Sequence, residues 1–240
     1  MEIGALARVG QVNYLSNAMN HPQTQPRPRG RPREFDREVA LEAAMRLFWC
    51  RGYEATSVND LVAAMGITPP SLYSAFGDKK RLFLEAVDRY QAGPGCFAMK
   101  ALAGEPTAER AMRRLMMDAV RSFTDPRNPP GCMVILAATN CAPESGDVME
   151  ALASRRRAAQ TMLRQRVAAG RAAGELAPGA DIDALAGLVT ATLSGLAISA
   201  RDGASRASLK RIVEQVMSGW PRADMAGVAG AVAAQSRQHT

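Results

Sequence analysis

Four arginines, Arg27, Arg29, Arg31 and Arg33, stand at every second position of PRPRGRPREFD, residues 26–36, separated only by Pro and Gly. Pro has no amide donor and a fixed φ, and Gly adds backbone freedom, so this stretch enters no regular helix or sheet. Such an extended row of guanidinium groups either stays a solvated linker or lies against a polyanion. Further on, TPPSLYS brings Thr68, Pro69, Pro70, Ser71, Tyr73 and Ser74 within one short segment. Short hydroxyls beside paired prolines suit the capped start of a short helix. The residue patterns of catalysis are missing: the sequence holds no GxSxG elbow, no P-loop, no HExxH and no strand followed by a Gly-rich turn and helix. Glu144, Asp147 and Glu150 have only helix-surface spacing, and no enzyme is expected. No metal or cofactor is expected either. His21 and His239 lie in the tails, and Cys50, Cys96, Cys132 and Cys141 form no CxxC pair.

The scaffold behind these residues reads as all-α. The chain has 240 residues, 47% of them hydrophobic, with abundant Ala and only short β-branched runs. A formal charge of +7 favours a polyanionic partner, while 5% aromatic residues argue against a fold that stacks bases on rings. The opening residues lack the basic-then-apolar order of a signal peptide, and no run reaches the ~18 apolar residues of a membrane span. These features predict a cytoplasmic protein without a membrane partner.

Helical periodicity begins near Asp36 with Ala40, Ala44, Leu47 and Phe48, and ends at Arg51-Gly52. Ser57-x-x-Asp60 resembles a capping box with Asp in place of Glu and opens a second helix carrying Val58, Leu61, Val62 and Met65. Gly66-Ile67 breaks the chain, and Thr68-Pro69 caps a third, short helix with Leu72 and Phe76 inward. Two short helices about a Gly-containing turn, packed on a preceding helix, form a helix-turn-helix. A fourth helix follows Gly77-Asp78, and further helices fit near 107–123, 132–141, 147–173, 181–201 and 206–218. The segment LAGLVTATLSGLAISA is apolar on nearly every face, which predicts burial or a subunit interface.

The block ALEAAMRLFWCRGYEATSVNDLVAAMGI, continued by TPPSLYSAFGDKKRLFLEAV, resembles the TetR family of bacterial transcriptional regulators. Tyr53 after the Gly that ends the first helix, the Leu72-Tyr73 pair, Phe76, Lys79 and Leu82 carry the likeness. The resemblance implies an N-terminal three-helix DNA-binding domain and a C-terminal helical ligand-binding and dimerisation domain. It implies phosphate contacts from Thr56, Ser57, Tyr73 and Lys79, and base-edge contacts from Thr68, Pro70, Ser71 and Ser74. Pro69-Pro70 and Ser74 depart from the polar or longer side chains common in the family, so direct readout is thin. With that unit adjoining it, the arm resembles the AT-hook of minor-groove binders in its RGRP core, and Arg29, Arg31 and Arg33 become its expected contacts.

The expected organisation is a flexible leader with a basic arm over 1–33, a DNA-binding domain over 34–80, an effector and dimerisation domain over 81–220, and a flexible tail over 221–240. The expected protein is a homodimer that represses from a near-palindromic operator in double-stranded DNA and is released by an unknown small-molecule effector. Two alternatives stand beside it: a switch on the same fold driven by oxidation of Cys132 and Cys141, and an architectural binder without operator specificity. Met112, Met116, Met117, Met133, Met149 and Met162 are core fillers first and pocket lining second. Arg155, Arg156 and Arg157 are expected on a solvated helix face.

Overall fold

The computed structural model describes residues 35–223, whose regular structure is ten α-helices, one 3-10 turn and a single antiparallel bridge between Leu176 and Arg222. The arm with Arg29, Arg31 and Arg33, and the tail from residue 224, lie outside the described residues. Helix α1 (Arg37–Arg51) starts at Asp36, whose carboxylate accepts from the amides of Glu38 (2.9 Å) and Val39 (3.2 Å). It ends at Gly52, where φ is +84° and a Cβ would come within 3.1 Å of the Ala137 carbonyl oxygen. Glycine alone suits both the dihedral and the space.

Helix α2 (Val58–Met65) opens with the complete capping box of Ser57 and Asp60. Gly66 at φ +66° closes it, and the Ile67 amide donates back to the Val62 carbonyl (3.1 Å). Helix α3 (Pro69–Phe76) follows with Thr68 as N-cap and prolines in its first turn, where missing amides cost nothing. Helix α4 (Lys79–Ala92) is capped by Asp78, which accepts from the Arg81 amide at 2.8 Å. These four helices close around Phe48, Tyr53 and Phe83, with Phe83 meeting both other rings at centroid distances of 5.0 Å. Arg37 fastens the bundle: it donates to Glu85 at 2.5 and 2.8 Å and lies 4.5 Å above the Phe76 ring.

The second group comprises α5 (Phe97–Gly104), α6 (Ala108–Phe123), α7 (Met133–Leu136), the 3-10 turn Pro143–Ser145, α8 (Gly146–Ala172), α9 (Ile182–Arg201) and α10 (Arg206–Ser218). Helix α6 is its centre, packed by α5, α8, α9 and α10, and buries Met112, Leu115, Met116, Val120 and Phe123. The core continues without a gap from α1 into this group.

Three expectations need correction. Helix α5 falls where none was predicted, because Gly93, Pro94 and Gly95 mask an eight-residue helix behind a break signal. The helix expected over 132–141 is a single turn, Met133–Leu136. The Val134 carbonyl, next in line to accept, takes the Arg156 guanidinium at 2.9 Å, and the Ala137 carbonyl accepts from the Tyr53 amide at 2.7 Å, so both leave the helical ladder. Finally, α9 is long and apolar enough to cross a membrane by length and composition, contrary to the sequence reading. It packs against α6, α8 and α10, and its remaining apolar face is exposed.

Candidate DNA-binding site and interior cavity

Helix α3 buries Leu72 and Phe76 and turns Pro69, Pro70, Tyr73 and Ser74 outward, with Tyr73 51% exposed. At its start the Thr68 and Ser71 hydroxyls share a hydrogen bond of 2.9 Å, and the Ser71 amide donates to Thr68 at 3.4 Å. The end that carries these residues is thus a capped helix N-terminus whose first two residues, both Pro, offer no amide, so contacts there fall to side chains. Six expected contacts, Thr68, Pro70, Ser71, Tyr73, Ser74 and Lys79, lie at the N-cap of α3, along α3 and at the first residue of α4.

Thr56 is different. Its side chain is fully buried and its hydroxyl donates to the Gly52 carbonyl at 2.6 Å, so it braces the α1–α2 connection and cannot reach a phosphate. Ser57 is exposed at the N-terminus of α2, donating to Asp60 at 2.6 Å and accepting from its amide at 3.1 Å. The Ser57 hydroxyl and amide, followed by Arg51 at 3.2 Å, hold the Asp60 carboxyl below its ordinary range. Lys79 is half-buried, with its ammonium 4.3 Å from the centroid of the Tyr53 ring. Burial pushes the Lys79 ammonium down and the Tyr53 phenol up from their ordinary values. Tyr53 therefore positions one cation at the foot of α3, where the exposed Arg81 also lies against Gly77.

A cavity of about 470 Å³ lies between the end of α4 and helices α5 to α9. Phe97, Phe123, Ile135, Met162, Leu163 and Leu193 supply much of its apolar wall. Of the six methionines named above only Met162 reaches it, while Met112, Met116 and Met133 are fully buried in the core. Arg155 and Arg156 also line it, so only Arg157, paired with Glu150, keeps the solvated role expected of all three. Arg155 is tied to α4 through Asp88 (2.7 Å) and Gln91 (3.2 Å). Arg156 donates to the Val134 carbonyl at 2.9 Å.

Of the two cysteines of the oxidation alternative, Cys132 is buried and Cys141 part-exposed. Cys132 is buried at the cavity wall and accepts from the Tyr90 hydroxyl at 3.3 Å. Burial pushes its thiol up, and burial does the same to Cys141. A redox-active cysteine needs the opposite shift, toward thiolate. Cys96, which sequence reading passed over, is a second thiol on the cavity wall.

A capped short helix presented outward behind a left-handed glycine turn defines a helix-turn-helix DNA-binding protein. The chain belongs to the TetR family of transcriptional regulators, which are not enzymes. Residues 40–86 match the family described as "Bacterial regulatory proteins, tetR family", and residues 108–217 match "Tetracyclin repressor-like, C-terminal domain". The chain is 38% identical over 186 residues to the HTH-type transcriptional repressor ComR of Escherichia coli (strain K12), covering 76% of this chain and 87% of ComR. Among solved structures, a cysteine mutant of the TetR-family regulator CifR, complexed with 26 bp double-strand operator DNA, is 41% identical with a TM-score of 0.76. That likeness covers 80% of this chain and 100% of CifR. A TetR transcriptional regulator from Rhodococcus sp. RHA1 is 37% identical with a TM-score of 0.54, over 77% of this chain and 99% of its own.

Proposed function

We propose that the chain is a dimeric repressor that holds a near-palindromic operator through α3 and leaves it when a small molecule fills the cavity. The observation that carries the DNA half is the outward row Pro70, Tyr73 and Ser74 on α3, with Lys79 braced on Tyr53 beside it. CifR, in complex with its operator, and the repressor ComR are the relatives that support it. Residues 34–80 then act as the reading head and 81–220 as the regulatory and dimerisation part, in the cytoplasm where the chromosome lies. Arg29, Arg31 and Arg33 would extend the grip into the minor groove from their place just before α1.

Dimerisation rests on α9. Ala184, Leu188, Ala191, Gly195 and Ile198 are all exposed, at alternating steps of four and three residues. Such a stripe is the seam of a helix pair, and its small residues permit close approach of a second copy. Exposed Ile212 on α10 would widen the same face.

Release follows from a single turn of helix. Cys132, Val134 and Ile135 line the cavity, and Ala137, just beyond α7, accepts the Tyr53 amide of the reading head. A ligand that displaces α7 moves the support under the α1–α2 connection, and so biases the spacing of the two heads. Selection of bound duplexes from a random pool, followed by the mass of the complex in solution, tests the reading. A two-fold-related motif bound by an even number of chains is expected. Binding without sequence preference would replace the operator reading with the architectural one.

A further inference from the structure

The cavity walls include three cations, Lys100, Arg155 and Arg156, and no carboxylate. Arg155 is neutralised by Asp88 from α4. Arg156 is not: among the described residues it forms no ion pair, and its one hydrogen bond goes to the Val134 carbonyl through Nη1. A guanidinium has five N–H donors, so most of its capacity is unspent. It is also half-buried among apolar side chains, where an unpaired charge is costly and a partner is worth more than in water. The hydroxyls nearby do not satisfy it. Thr190 and Ser194 donate to carbonyls of their own helix, at 2.9 and 3.1 Å, and Tyr90 donates to Cys132.

From this geometry we infer that the cavity takes a compact amphipathic acid, its carboxylate on Arg156 and its alkyl or aryl body against Phe97, Phe123, Met162 and Leu193. The inference rests on the reading of the cavity as the effector site and names the class of effector. A planar guanidinium matches a carboxylate with two parallel hydrogen bonds, and such a ligand removes the unpaired charge while filling the apolar remainder. The volume falls within the ~300–1,000 Å³ of small-molecule sites, with one polar end and a mostly apolar wall. A multiply charged phosphate ester is best held by a cluster of free guanidinium groups, whereas Arg155 is already committed to Asp88 and the remaining cation, Lys100 on α5, is exposed.

Calorimetric titration of the full chain with octanoate and phenylbutyrate, against octanol and phenylbutanol, tests the class directly. Each acid is expected to bind about tenfold more tightly than its alcohol, the discrimination of a charge-assisted hydrogen bond. Arg156→Gln should abolish that preference and Arg156→Lys should restore part of it. Arg157→Gln, which changes the net charge equally on the solvent side of α8, should keep it. Equal affinity for acid and alcohol in the unaltered protein, no binding of the acids, or a preference that survives Arg156→Gln would overturn the inference. Operator release, followed in parallel by anisotropy of a labelled duplex, separates the two readings. Acids that bind selectively without releasing DNA would sink the effector reading alone; alcohols that release DNA as well as acids would sink the acid inference alone.

Discussion

Tyr53 and Thr56 stand three residues apart and do opposite things from what their types advertise. Tyr53 looks like one more core aromatic, yet its ring holds the Lys79 ammonium at 4.3 Å and its amide reaches Ala137. Thr56 looks like a phosphate ligand at a helix start, yet it is buried with its hydroxyl on Gly52. Substitution separates the two roles. Lys79→Gln should weaken operator binding and lower the steepness of its salt dependence by about one released ion. Thr56→Val should leave that slope unchanged and cost about 1 kcal/mol of folding stability, as loss of a buried hydrogen bond does. Salt titrations of binding and denaturant melts of both variants check this pair. The outward placement of Tyr73 and Ser74 was legible because Leu72 and Phe76 fix the inward face of so short a helix. The burial of Thr56 was not legible, since it depends on the chain reversal at Gly52 against Ala137. Arg155, Arg156 and Arg157 were equally opaque: three consecutive residues fan around a helix, and only distant α4, α7 and α9 decide which of them meet a cavity.

Among the elements, those with capping chemistry were readable nearly to the residue. Asp36, Ser57, Thr68, Asp78, Thr107 and Asp181 all accept from amides of the helices they start, as their types predict. Helix α7 failed that test because no local signal governs it; tertiary hydrogen bonds from Arg156 and Tyr53 take the Val134 and Ala137 carbonyls that would have extended it. The segment just after α10 is fixed by another distant pair, Glu109 in the first turn of α6 with Arg222, at 2.6 and 2.7 Å. The Arg222 guanidinium holds the Glu109 carboxyl below its ordinary range. A depressed carboxyl stabilises the fold above the unfolded value of ~4.3 and loses that contribution as pH falls through the folded value. Melting temperatures of Glu109→Gln and the unaltered protein should therefore differ at neutral pH and converge in acid. The gap should be modest, because the pair is partly solvated.

At the scale of the whole molecule, the apolar stripe of α9 and the outward row of α3 belong to one account, because a short helix with few base-reading side chains gains specificity by being used twice. Ile198→Glu on that stripe should give a monomer by light scattering and should weaken binding to a palindrome far more than to an isolated half-site. That α9 would be apolar on nearly every face was visible in LAGLVTATLSGLAISA; that its uncovered residues form a regular seam emerged only with α6, α8 and α10 packed against it. Entry of α3 into the major groove in two symmetry-related places is read out by purine methylation interference on a selected duplex. Methyl groups on guanine N7, in the major groove, should block binding in two patches whose centres lie about 34 Å apart on one face of the helix. Interference confined to adenine N3, in the minor groove, would mean that the arginine arm carries the binding and α3 does not.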